Sequence, residues 1–367
     1  MGFACGIVGL PNVGKSTLLN ALSSAKADAQ NFPFCTIEPN VAVVAVPDRR
    51  LDAVAATCAL DRRVHATIRF VDIAGLVRGA SRGEGLGNQF LAHVREVDAL
   101  AHVVRCFSDE NVAHVDGRVD PTGDVETVRT ELALKDLETV ERRLERARKQ
   151  SKGGDPQERM AVVLCERLLS HLDAGQPARS FKAGGPREQE LVEELRLLTN
   201  KPVFYVANVD ESALPDVDRD QRVLELRRHV EPDQGVVVPI CASLEAQIEE
   251  LEPEERPEFL ESVGLTESGL VRVIRVGYEL LGLITFLTKN ETEVRAWTLP
   301  RGNTAWDAAG KIHTDIQRGF IKAEVTRFDD LVRLGSDSRC REAGLTAIEG
   351  RDYVVRDGDV VLFRFNL

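Results

Sequence analysis

One stretch near the start of the chain restricts its fold more than any other. Phe3-Ala-Cys-Gly-Ile-Val-Gly-Leu-Pro-Asn-Val-Gly-Lys-Ser-Thr17 runs from an apolar strand through Gly9-x4-Gly14-Lys15-Ser16 into a helical pattern over Thr17 to Ser24. Gly9 and Gly14 permit backbone angles that a side chain blocks. Successive NH groups from Asn12, Val13 and Gly14 to Thr17 can therefore turn inward around a polyphosphate at the positive end of the following helix. Lys15 then reaches the β and γ oxygens, and the Ser16 hydroxyl ligates magnesium. The strand, loop and helix in this order make a phosphate-binding P-loop.

Two later stretches have the placement of nucleotide switches. The loop Ala29-Gln-Asn-Phe-Pro-Phe-Cys-Thr36-Ile-Glu-Pro-Asn40 is kept from helix by Pro33 and Pro39, and Thr36 stands where a threonine completes a magnesium shell. The β-rich run Ala66-Thr-Ile-Arg-Phe-Val-Asp72-Ile-Ala-Gly75 ends in Asp-x-x-Gly. Asp72, at the end of a buried strand, needs a partner such as magnesium through water, and the Gly75 NH is placed to touch a γ-phosphate. Four glycines between Gly79 and Gly87 suit a segment that orders with the nucleotide. Leu76 stands where many GTPases carry a water-orienting glutamine, so hydrolysis must use another residue or be slow. His114, in the polar loop Ser108 to Pro121, is the candidate for that water, whereas His65, His93 and His102 fall in periodic segments and read as structural.

Composition narrows the class. A net charge of -12 over 367 residues excludes a protein that simply coats nucleic acid. The acidity is confined to residues 1–281, with 34 Lys and Arg against 46 Asp and Glu, while residues 282–367 hold 13 of each. Seven cysteines without a Cys-x2-Cys pair read as reduced residues of a cytosolic protein, mostly in its core. The sequence shows neither a signal segment nor an apolar run of membrane-spanning length, and a P-loop within ten residues of Met1 leaves no room for a leader.

Further along, Val125, Val128, Leu132, Leu137, Val140, Leu144 and Ala147 step by threes and fours among dense charge. A second helical pattern follows Pro156, which predicts an antiparallel helical hairpin with a solvated or partner-facing surface. The sheet resumes at Pro202 to Asn208 and again at Val236 to Cys241. The loop between them starts Asn208-Val209-Asp210-Glu211, where guanine-specific proteins read Asn-Lys-x-Asp. Val209 replaces the lysine, and the Glu211 carboxylate is one methylene too long for the two guanine hydrogen bonds, so the preference for guanine is lost or inverted. Ser243, after the last strand, completes the candidate base site.

These residues resemble the Obg-like ATPase (YchF) family of translation-factor-class P-loop proteins. The likeness is carried by Gly9 to Thr17, Asn31 to Asn40, Asp72 to Ser81, Gly83 to Gly87, the Asn208-x-x-Glu211 variant, and C-terminal segments Glu293 to Thr298, Ala309 to Asp315, Gly319 to Val325 and Asp357 to Val360. It implies an α/β fold: a P-loop, G-domain-like sheet over residues 1–281 with a helical insert at about 124–200, and a small β-grasp TGS domain over 282–367. It also implies a slow ATPase, accepting GTP less well, that associates with the ribosome, whole or large subunit. By the same resemblance Asn12 to Thr17 hold phosphates, Ser16 and Thr36 hold magnesium, and the Val209 backbone contacts the base. The run Gly344-Leu-Thr-Ala-Ile-Glu349 departs from the family pattern in carrying no Lys or Arg.

The C-terminal region reads as ββαββ, with strands at Ile284 to Thr288 and Val294 to Thr298, a helix capped by Asn303 or Thr304, and a last strand at Val360 to Phe365. Lys311, His313, Arg318 and Lys322 are candidate contacts to RNA phosphates. The leading reading is a nucleotide-dependent switch in which γ-phosphate orders Thr36 and Gly75. A GTPase of the same fold, and a module that holds nucleotide without useful turnover, stay open. A small-molecule P-loop kinase is a third option, but the sequence carries no readable lid-like arginine-rich segment or acceptor pocket.

Overall fold

The computed structural model describes residues 3–24, 40–73, 93–109, 112 and 118–366. Two six-stranded sheets organise them. In chain order the first part holds β1 (Ala4–Val8), α1 (Lys15–Ser24), β2 (Val41–Ala45), α2 (Arg49–Cys58), β3 (Arg62–Val64), β4 (Thr67–Asp72) and β5 (Ala99–Arg105). Then come α3 (Pro121–Ser151), α4 (Pro156–Asp173), α5 (Pro186–Glu194), β6 (Val203–Asn208), α6 (Gln221–Val230), β7 (Val237–Ile240), α7 (Ala242–Glu250), α8 (Arg256–Ser262) and α9 (Gly269–Leu280). The last part holds β8 (Leu283–Lys289), β9 (Glu293–Pro300), α10 (Ala305–Ile312), α11 (Thr314–Arg318), β10 (Phe320–Arg327), α12 (Phe328–Leu334), α13 (Asp337–Glu342), β11 (Thr346–Glu349) and β12 (Asp359–Phe365).

The central sheet has the order β2-β4-β1-β5-β6-β7. Every neighbouring pair is parallel except β2 with β4. Strands covered on both faces are mostly apolar, and β1 and β5 are buried at every position, with His102 and Arg105 the polar residues of β5. The carboxyl ends of β1, β5, β6 and β7 open onto one rim, where ligands of open α/β sheets collect. On the covering side, Glu245 is fully buried and accepts hydrogen bonds from Ser268 Oγ and the Gly269 NH, so its charge lies at the positive start of α9.

The helical insert is anchored on this sheet by its own periodicity. Val128 and Leu132 of α3 pack with the main core and Val125 with the core beside β6, whereas Val140 and Leu144 turn to Cys165, Leu168 and Leu172 of α4. One apolar stripe thus passes from sheet to hairpin along 31 residues. The helix starts at Pro121, three residues ahead of the predicted edge, because Asp120 caps it by accepting from the Gly123 NH. At the base, Asp136 is buried and accepts from the Leu198 and Thr199 NH groups and Thr199 Oγ1, which fixes the return of the chain to β6.

The C-terminal sheet has the order β11-β10-β12-β8-β9-β3. It corrects the ββαββ expectation: this region supplies five strands and four helices, and a sixth strand comes from far upstream. Arg62 to Val64 pair in parallel with Glu293 to Arg295. The predicted cap is Thr304, which forms a reciprocal pair with Asp307. Among the proposed RNA contacts, the Lys311 ammonium lies 5.4 Å from the Phe3 ring centre and His313 Nδ1 accepts from the Asp315 NH, so both have partners within the chain. Strand β11 forms the edge, with Ile348 exposed and no basic residue along it.

Arg50, at the start of α2, ties the two sheets together. It donates to both carboxylate oxygens of Asp48 and both of Asp357, and Asp357 Oδ1 also accepts from the Thr285 NH. Flanked by two carboxylates, the guanidinium is held above its usual pKa, chiefly by the hydrogen bond to Asp48. Arg50→Ala is expected to lower the denaturation free energy by about 1 kcal/mol, the bridge being partly exposed. Hydrogen exchange should quicken in β3 and β8 ahead of β1; unchanged exchange there would show that strand pairing alone docks the C-terminal sheet.

Candidate nucleotide site

At the carboxyl rim of β1 the chain must turn tightly. Gly9 takes φ 151°, and a Cβ there would lie 2.4 Å from the Val103 carbonyl oxygen of β5. Gly14 takes φ 99°, and its Cβ would meet Asn208 Nδ2 at 2.3 Å. No side chain fits at either place, which is why the loop passes close enough to its neighbours to curl.

The curled loop is held from outside. Asn208, the last residue of β6, donates through Nδ2 to the Val13 carbonyl at 3.0 Å and accepts through Oδ1 from the Ala242 NH at 3.0 Å. One buried carboxamide therefore joins the P-loop to the start of α7. Val13 itself is buried beneath the loop. Lys15 is only 8% exposed and lies across the loop, its ammonium donating to the carbonyls of Gly9 at 3.0 Å and Leu10 at 2.7 Å. That leaves one of its three donors for a phosphate. Burial pushes the Lys15 ammonium down from its usual pKa, and the charge of Asp72 opposes the shift.

Asp72 shows the complementary strain. Burial pushes its carboxyl up, Lys15 draws it partly back, and Oδ1 accepts no hydrogen bond among the described residues. A buried carboxylate oxygen in that state is relieved by a divalent cation, and the exposed Ser16 hydroxyl stands at the start of α1 to share it. The residues present therefore fit magnesium.

Asn12, Gly14, Lys15, Ser16 and Thr17 line one side of an open cleft of about 730 Å³, and Asn208, Val209, Glu211 and Ser243 line the other. The cleft unites the sequence-predicted phosphate and base residues, with Val13 below it. Thr36, Gly75, Leu76 and His114 lie outside the described residues. Val209 is buried and its NH donates to the Ile240 carbonyl, whereas Glu211 is exposed at the start of a short helical turn.

Sequence reasoning missed the third wall, formed by Phe107, Ser108, Asp109 and Val112. Arg105 shapes it. This arginine, 2% exposed at the end of β5, donates to the carbonyls of Phe107, Asp109 and Val112, and its guanidinium carbon lies 4.5 Å from the Phe107 ring centre. Arg222 adds bonds to the Cys106 carbonyl and Ser108 Oγ. The available signal was an arginine at the end of a mostly apolar strand.

Comparison with known proteins bears on this geometry. A family described as "50S ribosome-binding GTPase" matches residues 4–152, and the YchF GTPase C-terminal family, described as a protein of unknown function, matches residues 283–366. The "Ribosome-binding ATPase YchF" of Escherichia coli O157:H7 is 50% identical over 367 residues, covering 100% of both chains. The chain belongs to the YchF family. The protein of the same name from Bacillus subtilis (strain 168) is 47% identical, again over 100% of both chains. The structure of the Schizosaccharomyces pombe YchF GTPase matches with TM-score 0.90 at 36% identity, covering 99% of this chain and 98% of that one. A GTP-binding protein from Pyrococcus horikoshii OT3, at 20% identity and TM-score 0.62 over 100% of both chains, shares the fold. The family's P-loop fold is thus the one that places the cleft at the rim of the central sheet.

Asn208→Ala should leave the Val13 carbonyl and the Ala242 NH buried without their partner, at a cost of about 2 kcal/mol or more. Nucleotide affinity should fall with it, measured by titration beside a denaturation curve. A variant that keeps full affinity would show that the P-loop holds its shape unaided.

Proposed function

We propose that this YchF family member is a ribosome-associated regulatory ATPase of the cytoplasm, which binds and hydrolyses ATP, and GTP less well, as a slow nucleotide-dependent switch. The observation that carries the reading is the single cleft in which a P-loop with its buried lysine faces a base loop lacking the guanine-reading pair. The relatives' printed names, ribosome-binding ATPase, support the output.

In this reading the NH groups of Asn12 to Thr17 grip the phosphates at the start of α1, and Lys15 carries the positive charge to the β and γ oxygens. Ser16, Thr36 and, through water, Asp72 hold magnesium, which when bound neutralises charge on the β and γ oxygens. Gly75 reports the γ-phosphate through its NH, and His114 orients the attacking water in place of Leu76. The Val209 NH is taken by Ile240, so the carbonyl is the backbone group left for the base. A carbonyl accepts from the adenine amino group and repels the guanine oxygen, which favours ATP. Residues 1–281 act as the nucleotide-binding domain with its helical insert, and 282–367 as the TGS domain. Insert and TGS domain together present a surface to the ribosome and its RNA.

Lys15→Ala should abolish single-turnover hydrolysis while the fold persists, since it removes the charge from the transferred phosphoryl group. Turnover that survives would take the P-loop out of the mechanism. The pair Val209→Lys with Glu211→Asp should move preference toward GTP by about tenfold or more. Val209 is buried, so a lysine there must snake out to solvent, and Glu211→Asp alone serves as the control for folding. ATP preference undiminished in both would assign base choice to the backbone around Val209 or to Ser243.

A further inference from the structure

A second cavity, of about 130 Å³, lies between the base of the helical insert and the central sheet. It has room for about four waters at roughly 30 Å³ each. Three cations line it, Arg129 of α3, Arg179 just after α4 and Lys201 just before β6, against one carboxylate, Asp233. Asp233 is shared, 2.7 Å from Arg129 Nη2 and 3.4 Å from Arg179 Nη2. Arg129 Nη2 also donates to the Tyr205 hydroxyl, and Nη1 pairs with Glu126. Arg179 otherwise reaches only a carbonyl, that of Thr199 at 3.3 Å, among its described partners. The Lys201 ammonium donates to the carbonyls of Arg95 and Val97, which leaves one of its three hydrogens, and the Asp98 and Asp136 carboxylates lie near enough to act on its charge.

Two buried atoms on this wall have no hydrogen-bond partner among the described residues, Arg129 Nε and His102 Nε2. His102 is 3% exposed in β5, and burial, helped by Arg129, holds its pKa down at about 3. The imidazole is therefore neutral and can donate one hydrogen without adding charge. Buried donors left without an acceptor are destabilising, and an oxyanion among these cations would accept from them.

We propose that this cavity is an anion site separate from the P-loop, taking a phosphate-sized oxyanion between Arg129, Arg179 and Lys201 with His102 Nε2 as a neutral donor. Charge-assisted hydrogen bonds from two guanidiniums and an ammonium are what an oxyanion's lone pairs accept, and the cavity is too small for a nucleotide. Its location gives it a structural neighbour of consequence: His102 pairs with Val8, the residue directly before Gly9. The site does not depend on which nucleotide the P-loop hydrolyses.

The test is thermal unfolding of the full chain with ADP and magnesium present to fill the P-loop. Inorganic phosphate is titrated against chloride at constant ionic strength. Wild type should gain midpoint temperature with phosphate over chloride, by preferential binding to the folded state. Arg179→Gln and Lys201→Gln should each weaken the apparent phosphate affinity about tenfold. Because the comparison is between variants, it decides whether or not ADP itself stabilises the chain, and that separate response reports on the P-loop. A wild type indifferent to phosphate, or variants that respond to phosphate as strongly as wild type, overturns the proposal. Should Arg179→Gln fail to fold, Lys201→Gln decides alone.

Discussion

The nucleotide cleft depends on one carboxamide. Asn208 closes the gap between the Val13 carbonyl, in the loop after β1, and the Ala242 NH, at the start of the helix after β7. Neither has another partner of its own chain element to turn to, because both lie where the backbone leaves regular structure. The parallel sheet brings the strand ends to one level, but only a side chain reaching both ways sets the P-loop at a fixed distance from the base loop. Gly14 is glycine for the same reason, since Asn208 Nδ2 occupies the place where its Cβ would be.

Around that brace the electrostatics are poised rather than balanced. Lys15 and Asp72 are both partly withdrawn from water, and each is held toward its neutral form by burial and toward its charged form by the other. A polyphosphate with magnesium supplies the opposite charges each lacks, so binding relieves two desolvation penalties at once. The same logic, with a smaller anion, describes the cavity behind β5. Both pockets flank the strand pair β1 and β5, one at its rim and one under the insert.

Much of this was legible in the residues, and what was not shares a physical cause. The P-loop could be read because its chemistry is local: glycines, lysine and serine within eight positions, between a strand and a helix. The insert could be read because its stripe is periodic. The brace role of Asn208 could not, because the motif reading assigned it to the base and its partners lie 195 and 34 residues away. The role of Arg105 is not legible either, because its position in a strand does not show that its guanidinium turns back on the next loop. Strand β3 is three residues long, two of them exposed arginines, and its partner β9 begins far later in the chain, at Glu293. Periodicity does not reveal so short an edge strand.

That strand gives the chain a schedule. Ribosomes add about 5–20 residues per second. Arg50 therefore waits for its partner Asp357, 307 positions later, for about 15–60 s after it is made. Once β7 is made, α2 and β3 stand on the nucleotide-binding sheet with an unpaired edge until β9 follows, the kind of surface that recruits the wrong strand. The two arginines of β3 and the short length of the strand answer that hazard, because charge and brevity both discourage foreign pairing. Strand β9 and Asp357, made well after α2 and β3, close the C-terminal sheet on those early elements. Loss of the strands from β9 onward would thus leave a scar near residue 60, far from the break itself.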